Sequence, residues 1–378
     1  MHNPHPTRMK ILLLGDYSNV HATLAEGLRQ LGHDVTVASD GDEWKNYPRD
    51  VDFYRDLTWG KLKTLRYLLH LIKEFRKFRG YDVVQLINPI FIPLKAERMM
   101  PFYKYLRRHN KHVFLGGFGM DHYWVRAGLD CTTFRYSDFN FGVEVRESED
   151  IDLWISEWLR GKKGELNQQI AKDCDGIITG LYEYQASYVP YFPKKTQFIP
   201  FPIVPCKDLT LSDKIPQRVR FFIGIQKSRS AYKGTDIMLR ALERVAQELP
   251  NRCEIVRVES VPFAEYVKLM NGSDVILDQL YSYTPAMNAL EAMARGLIVV
   301  GGAEPEHYDL MQEPELRPII NVLPNEESVY QALKNLALHP ERIPQLKRDS
   351  VAYINKHHDY IKVAQRYLNA WEDFSKEG

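Results

Sequence analysis

The sequence predicts an α/β protein made of two doubly wound, Rossmann-like domains in tandem. Three observations predict it. Short apolar runs alternate with amphipathic helical segments along the chain, as expected of strands buried on both faces of a parallel sheet. The stretch TQFIPFPIVPCKDLTLSDKIPQ (196–217) concentrates proline and turn residues and divides the alternation into two series. At 378 residues the chain is long enough for two domains, each with its own core.

In the first series KILLLGD (10–16) is a strand ending in a turn. Ser18 or Asn19 is expected to cap the helix HATLAEGLRQL, Gly32 to end it, and DVTVAS (34–39) to form the next strand. KLKTLRYLLHLIKEFRKFRG (61–80) sets Leu62, Leu65, Leu69, Ile72 and Phe75 against Lys63, Arg66, Lys73, Arg76 and Lys77. That is a basic amphipathic helix. Its apolar stripe either lies on an anionic bilayer or covers the sheet with the basic face solvated. YDVVQLIN (81–88), HVFLGG (112–117) and CDGIITG (174–180) are further strands.

The second series opens with RVRFFIGIQ (218–226). A helix over 235–248, the strand CEIVRV, a helix near 263–271 and the strand SDVILDQL follow. Then comes TPAMNALEAMARGLIVV (284–300). Thr284 suits an N-cap, Pro285 the first helical position and Gly296 the C′ position. Such a helix start offers free N–H groups and a positive dipole end to an anion. Seven residues on, Glu291 returns to the face that holds Thr284. An acid there either meets a sugar whose phosphates rest on the helix start or pairs with a neighbouring loop or cation.

Composition excludes several classes. Formal net charge is +1, from 50 basic and 49 acidic residues, so no global field favours nucleic acid. Cys131, Cys174, Cys206 and Cys253 are far apart, without zinc spacing, and read as reduced thiols of a cytosolic chain. The apolar run after Lys10 is too short for a membrane span and lacks a cleavage pattern. Gly15 is followed by DYSNVH, with no second or third glycine, so the dinucleotide fingerprint of a dehydrogenase fails.

Seven segments, in order, carry a more specific likeness: MKILLLGD, YDVVQLINP, CDGIITGLYEYQ, FIPFPI, YKGTDIMLRAL, GSDVILDQLYSYTPAMNALEAMARGLIVVGGAEPE and AQRYLNAWE. The chain resembles the GT-B glycosyltransferases and is most similar to the retaining enzymes of family 4. The resemblance implies GT-B architecture, two Rossmann-like domains facing across a cleft. Residues 1–200 would form the acceptor domain, 201–358 the nucleotide-sugar donor domain, and 359–378 a helix crossing back to the first domain. It implies transfer of a sugar from a nucleotide-diphosphate sugar to a glycan or lipid-linked acceptor, as in polysaccharide biosynthesis, with no metal or other cofactor. The enzyme would be cytoplasmic, with peripheral contact to the inner face of the cell membrane through 61–80.

The resemblance also assigns residues. In the family two glutamates bracket seven residues, the second meeting the donor ribose and the first the donor sugar. Glu291 matches the second. The first falls on Tyr283, so the sugar contact must come from elsewhere, from Tyr283 itself or Asp278. Thr284, Ala286, Met287 and Gly15 complete the expected donor site. Lys233, followed by Gly234, matches the lysine that neutralises the diphosphate, and Arg229 the paired arginine. Fixed cations of this kind stabilise a leaving diphosphate. Asp121 is a candidate catalytic group, with His122 and Tyr17 as acceptor contacts, although an Asp-His pair in a loop also suits a turn. Tyr123 to Trp158 is either an acceptor-side elaboration or aromatic packing over the sheet. His357, His358 and Asp359 suit a surface turn better than a metal site. Two other readings stay open: a nucleotide-sugar epimerase of the same fold, and a non-catalytic nucleotide-sugar-binding subunit.

Overall fold

The computed structural model describes residues 8–42, 45–56, 58, 60–225, 230–259, 261 and 263–377. In chain order, strands β1 (Lys10–Leu14), β2 (Asp34–Ser39), β3 (Val51–Asp52), β4 (Val83–Leu86) and β5 (His112–Gly117) precede a small hairpin. The hairpin is β6 (Asn140–Phe141) and β7 (Glu144–Val145), and β8 (Gly176–Thr179) and β9 (Thr196–Phe198) follow it. The seven strands other than the hairpin form one parallel sheet in the order β3-β2-β1-β4-β5-β8-β9. A second parallel sheet of five strands contains β10 (Val219–Ile225), β11 (Cys253–Glu259), β12 (Val275–Leu277), β13 (Ile298–Gly301) and β14 (Ile320–Asn321). Its order is β11-β10-β12-β13-β14. Strands such as β1 and β13 are buried on both faces, which is why their buried residues are apolar without alternation.

Strand order reverses between β1 and β4 in the first sheet and between β10 and β12 in the second. The carboxyl ends of strands at such reversals are where open α/β sheets bind ligands. The loops after β1, β4, β10 and β12 are therefore the ones that matter.

Two local expectations are corrected here. The helix Val20–Gln30 is not capped by Ser18 or Asn19, which both take positive φ. Asp16 caps it instead, accepting the N–H groups of His21 and Ala22 at 3.0 and 3.1 Å. His357, His358 and Asp359 are not a surface turn. His358 is buried and its Nδ1 bonds the Phe201 carbonyl, while His357 meets the buried Glu313. The Ile203 N–H donates to the His358 carbonyl at 2.7 Å, and the Tyr360 N–H to the Ile203 carbonyl at 3.0 Å. The two chain crossings between the sheets are thus pinned side by side, and no metal-holding cluster occurs among the described residues.

The helix Tyr360–Glu377 then packs on the first sheet. Tyr367 and Trp371 are fully buried there, and the Trp371 indole donates to the Gln85 side chain at 3.2 Å. Gly27 permits the approach, because a Cβ there would lie 2.3 Å from the Tyr360 carbonyl oxygen.

The helix Lys61–Phe75 divides the stripe seen in sequence. Tyr67, Leu71 and Phe75 face the core. Leu62, Leu65, Leu69 and Ile72 are exposed by 67, 54, 59 and 44%. Among the described residues no helix is long and apolar enough to cross a membrane.

Candidate active site

The donor helix begins later than its sequence suggests. It spans Met287–Ala294 with Ala286 at the N-cap position. Thr284 is drawn off by the first domain: its hydroxyl accepts the Tyr182 N–H at 3.2 Å, and Pro285 keeps it out of helical geometry. The start of the helix therefore carries no side-chain cap, the arrangement that leaves N–H groups for an anion. Gly296 ends the helix with φ +79°.

Glu291 lies on this helix, its side chain 36% exposed and 3.9 Å from Arg295. Burial raises its pKa, and Arg295 opposes the rise. Its field reaches across to Tyr47 in the first domain. Burial raises the Tyr47 phenol, and Asp42, Asp16 and Glu291 raise it further. Glu291 is thus near enough to Tyr47, in the loop after β2, to act on its phenol. Tyr47 carried no sequence signal.

Lys233 ends a single helical turn, Ser230–Lys233. Its carbonyl accepts the Leu280 N–H at 3.0 Å. Gly234 follows with φ +72°, and a Cβ there would sit 3.0 Å from Leu280 and 3.1 Å from Tyr281. The lysine loop is so stitched to the segment leading into the donor helix. Arg229 lies outside the described residues.

Tyr283, at the position of the absent first glutamate, is fully buried. It stacks on Tyr182 with centroids 5.5 Å apart, and Phe134 and Tyr136 pack around it. The stretch Tyr123–Trp158 therefore does not simply cover the first sheet. Trp124, Phe134, Phe139 and Trp158 form a separate core with Tyr283 of the second domain. Asp278 is also buried, and one of its oxygens accepts the Asn288 amide at 3.0 Å.

The first-domain candidates divide. Gly15 (φ +76°) leaves no room for a side chain beside Ile87, where a Cβ would lie 2.3 Å away. Tyr17 follows it, and its hydroxyl is directed at the Ile90 carbonyl, 3.4 Å away. Asp121 is fully buried and caps the helix His122–Leu129, accepting the Trp124 N–H at 2.9 Å and the Tyr188 hydroxyl at 2.8 Å. His122 is buried too, with its ring on the Trp158 carbonyl and its N–H on Asn167. The Asp121-His122 pair is thus a helix start, not a loop turn.

Sequence reasoning missed two acids and an arginine that the first domain brings to the Lys233 loop and to the segment before the helix Met287–Ala294. Asp138 accepts the Tyr232 hydroxyl, next to Lys233. Burial pushes Asp138 up to about 7, against Tyr232, Arg146 and Lys233, and Glu183 adds to the rise. Arg146 lies over the Tyr281 ring, 3.5 Å from its centroid, and donates to the Tyr232 carbonyl. Glu183 accepts the N–H groups of Tyr283 and Thr284. The sequence carried one weak signal: all three lie in stretches rich in aromatic and acidic residues.

Residues 226–369 match the family described as glycosyl transferase-like. No curated protein matches the chain in sequence. Sucrose-phosphate synthase from Thermosynechococcus elongatus is similar in structure, with a TM-score of 0.61 at 14% identity over 98% of this chain and 100% of that one. HepE of Anabaena, in complex with UDP and glucose, gives 0.58 at 13% identity over 97% and 100%. The catalytic domain of starch synthase IV from Arabidopsis thaliana, bound to ADP and acarbose, gives 0.55 at 10% identity over 98% and 100%. The fold is GT-B, two Rossmann-like domains facing across a cleft.

Proposed function

We propose that this chain is a glycosyltransferase that moves a sugar from a nucleotide-diphosphate sugar to a glycan or lipid-linked acceptor, with retention and without a metal ion. One observation carries the reading. A helix start without a side-chain cap, the Lys233 loop bonded to the segment before it, and Glu291 on that helix lie together at the strand-order reversal, where a donor would bind. Phosphates would rest on the helix start and Lys233, and Glu291 would accept the ribose hydroxyls. Fixed cations then stabilise charge on the leaving diphosphate. The complexes of HepE with UDP and glucose, and of starch synthase IV with ADP, support a nucleotide in this place.

The reading includes a peripheral contact with the inner face of the cell membrane. The outward stripe Leu62, Leu65, Leu69 and Ile72, beside Arg66, Lys73 and Lys77, suits an anionic lipid surface.

A thermal-shift screen with UDP, ADP and GDP tests the donor site. A ligand at 100 times its dissociation constant stabilises by about 2.7 kcal/mol. Stabilisation by none of the three would overturn the reading. Tyr283 in place of an acid favours one second reading, a subunit that binds nucleotide sugar without turning it over. Hydrolysis of the donor separates the two.

A further inference from the structure

Three side chains of the first domain converge on Tyr232, the residue before Lys233. The Tyr232 hydroxyl donates to the Asp138 carboxylate. Both terminal nitrogens of the Arg146 guanidinium donate to the Tyr232 carbonyl at 3.4 Å. The Trp154 ring meets the Tyr232 ring edge to face, with centroids 5.3 Å apart. Asp138 and Arg146 stand at the two ends of the hairpin β6–β7. The Arg146 N–H closes that hairpin on the Phe139 carbonyl at 2.7 Å. Its guanidinium is held as well, donating to the Ser137 and Asp138 carbonyls at 3.2 Å and lying 3.5 Å from the centre of the Tyr281 ring. A planar fork shared among several carbonyls and stacked on an aromatic face has few other orientations. From the second domain, the Leu280 N–H bonds the Lys233 carbonyl at 3.0 Å, and Gly234 packs against Leu280 and Tyr281. The turn Ser230–Lys233 is four residues long, too short to keep its shape in water unaided. Its outer contacts therefore set where Lys233 lies, and half of them come from the other domain.

We infer that Asp138 and Arg146 are positioning residues, which hold Tyr232 so that the Lys233 ammonium is presented to the donor diphosphate. This rests on the donor site proposed above and adds the first-domain groups that set it. Neither group touches the diphosphate in this role; both act through Tyr232. Misplacing a catalytic group by about 1 Å can cost roughly 10²-fold in rate, so a brace on the adjacent residue matters. The hairpin β6–β7, seated on the Lys233 loop, then couples contact between the two domains to neutralisation of the leaving group.

The test is a double-mutant cycle on the full chain, read by titration calorimetry with UDP, ADP and GDP. Asp138→Ala and Arg146→Gln are each made alone and together with Lys233→Ala. Lys233→Ala alone should raise the dissociation constant of the preferred diphosphate about tenfold or more. Asp138→Ala and Arg146→Gln should each cost about tenfold when Lys233 is present, and less than about twofold in the Lys233→Ala background. Groups that act only through Lys233 lose their effect once it is gone, whereas groups that merely brace the two domains do not. Equal losses in both backgrounds, or no loss in either, overturn the inference. Should either variant fail to fold, Tyr232→Phe decides by the same comparison, since it deletes one hydroxyl and keeps the ring. A wild type that binds none of the diphosphates, or a Lys233→Ala protein that binds them as the wild type does, overturns the donor site and the inference with it. A loss confined to Lys233→Ala overturns the inference alone.

Discussion

Arg135 of the first domain donates its backbone N–H to the phenol oxygen of Tyr283 in the second at 2.7 Å, and its guanidinium lies 4.8 Å from the centre of the same ring. That guanidinium also pairs with Glu304 at 2.8 Å and with Glu306. Tyr283 is therefore a wedge that holds the aromatic stretch of one domain on the donor loop of the other. Tyr283→Phe deletes only the hydroxyl and should cost about 1 kcal/mol in urea unfolding, while Tyr283→Ala should cost about 3–5 kcal/mol through the cavity. Tyr283→Glu restores the acid of the resembling family but sets it among aromatic rings beside Glu304. It should destabilise more than Ala and leave turnover no higher. If the Tyr283→Glu protein proved both stable and faster, the ring would be dispensable.

The roles proposed for Glu291 and for the diphosphate-binding groups can be told apart by ligand. Glu291→Gln should weaken binding of a nucleoside diphosphate tenfold or more, since a charged hydrogen bond contributes about 1.5–3 kcal/mol. Pyrophosphate, which has no ribose, should bind nearly as before. Calorimetry with both ligands checks this, and equal losses would make Glu291 a structural partner of Arg295.

How far the sequence revealed this site depended on the range of the interactions. β1 and β13 were legible because a strand buried on both faces is apolar along its buried length. Lys233 with Gly234, and Glu291, were singled out by the family resemblance, and the structure places them at the end of a short helical turn and on the helix Met287–Ala294. The start of the donor helix was not legible, since the Thr284 hydroxyl and N–H are engaged by Tyr182 and Glu183, far away in sequence. No window of sequence contains that competition. The basic helix 61–75 showed an apolar stripe of Leu62, Leu65, Leu69, Ile72 and Phe75, but of these only Phe75 reaches the core. Tyr67, Leu71 and Phe75 won the core face, leaving the leucines of that stripe outside. Asp121 had a readable signal, an Asp ahead of a helical run, and its capping bond to Trp124 follows from it.

Lys233 is predicted to act on charge developing at the diphosphate. Lys233→Ala should lower turnover roughly 10²-fold or more, in the range lost with other transition-state donors. If protein cations do the neutralising, EDTA should leave wild-type activity unchanged. Loss of transfer on chelation, restored by a divalent ion, would sink the metal-free reading.

Asp121 makes a prediction about pH. Burial pushes its carboxyl up to about 6, against the lowering effect of the Trp124 N–H and Tyr188. An unfolded aspartate titrates at about 3.9. Between these values the folded chain binds the proton more tightly, so stability falls as pH rises from about 4 to 6 and then levels off. Asp121→Asn keeps the helix cap and cannot ionise. It should lose roughly 2–3 kcal/mol less than wild type across that interval. Activity should stay within a few fold, since the carboxyl is engaged with a helix start and a tyrosine. A loss of activity by orders of magnitude with stability intact would return Asp121 to the reacting groups.

The exposed leucines make the last prediction. Leu62, Leu65 and Leu69 are 67, 54 and 59% exposed, so replacing all three with Gln should not unfold the chain. If they enter a lipid surface, the wild type should co-sediment with vesicles containing phosphatidylglycerol and not with phosphatidylcholine alone. Each basic residue near the surface contributes only about 1 kcal/mol, and the field decays within a Debye length, so raising the salt should release the protein. Changing Lys63, Arg66, Lys73 and Lys77 to Gln should weaken the salt-dependent part. The triple leucine variant should lose the part that survives salt, because apolar burial is not screened. Both sets lie outside the core formed by Tyr67, Leu71 and Phe75, so circular dichroism should be unchanged in either variant. A wild type that ignores anionic vesicles at low salt would leave the stripe without a lipid partner.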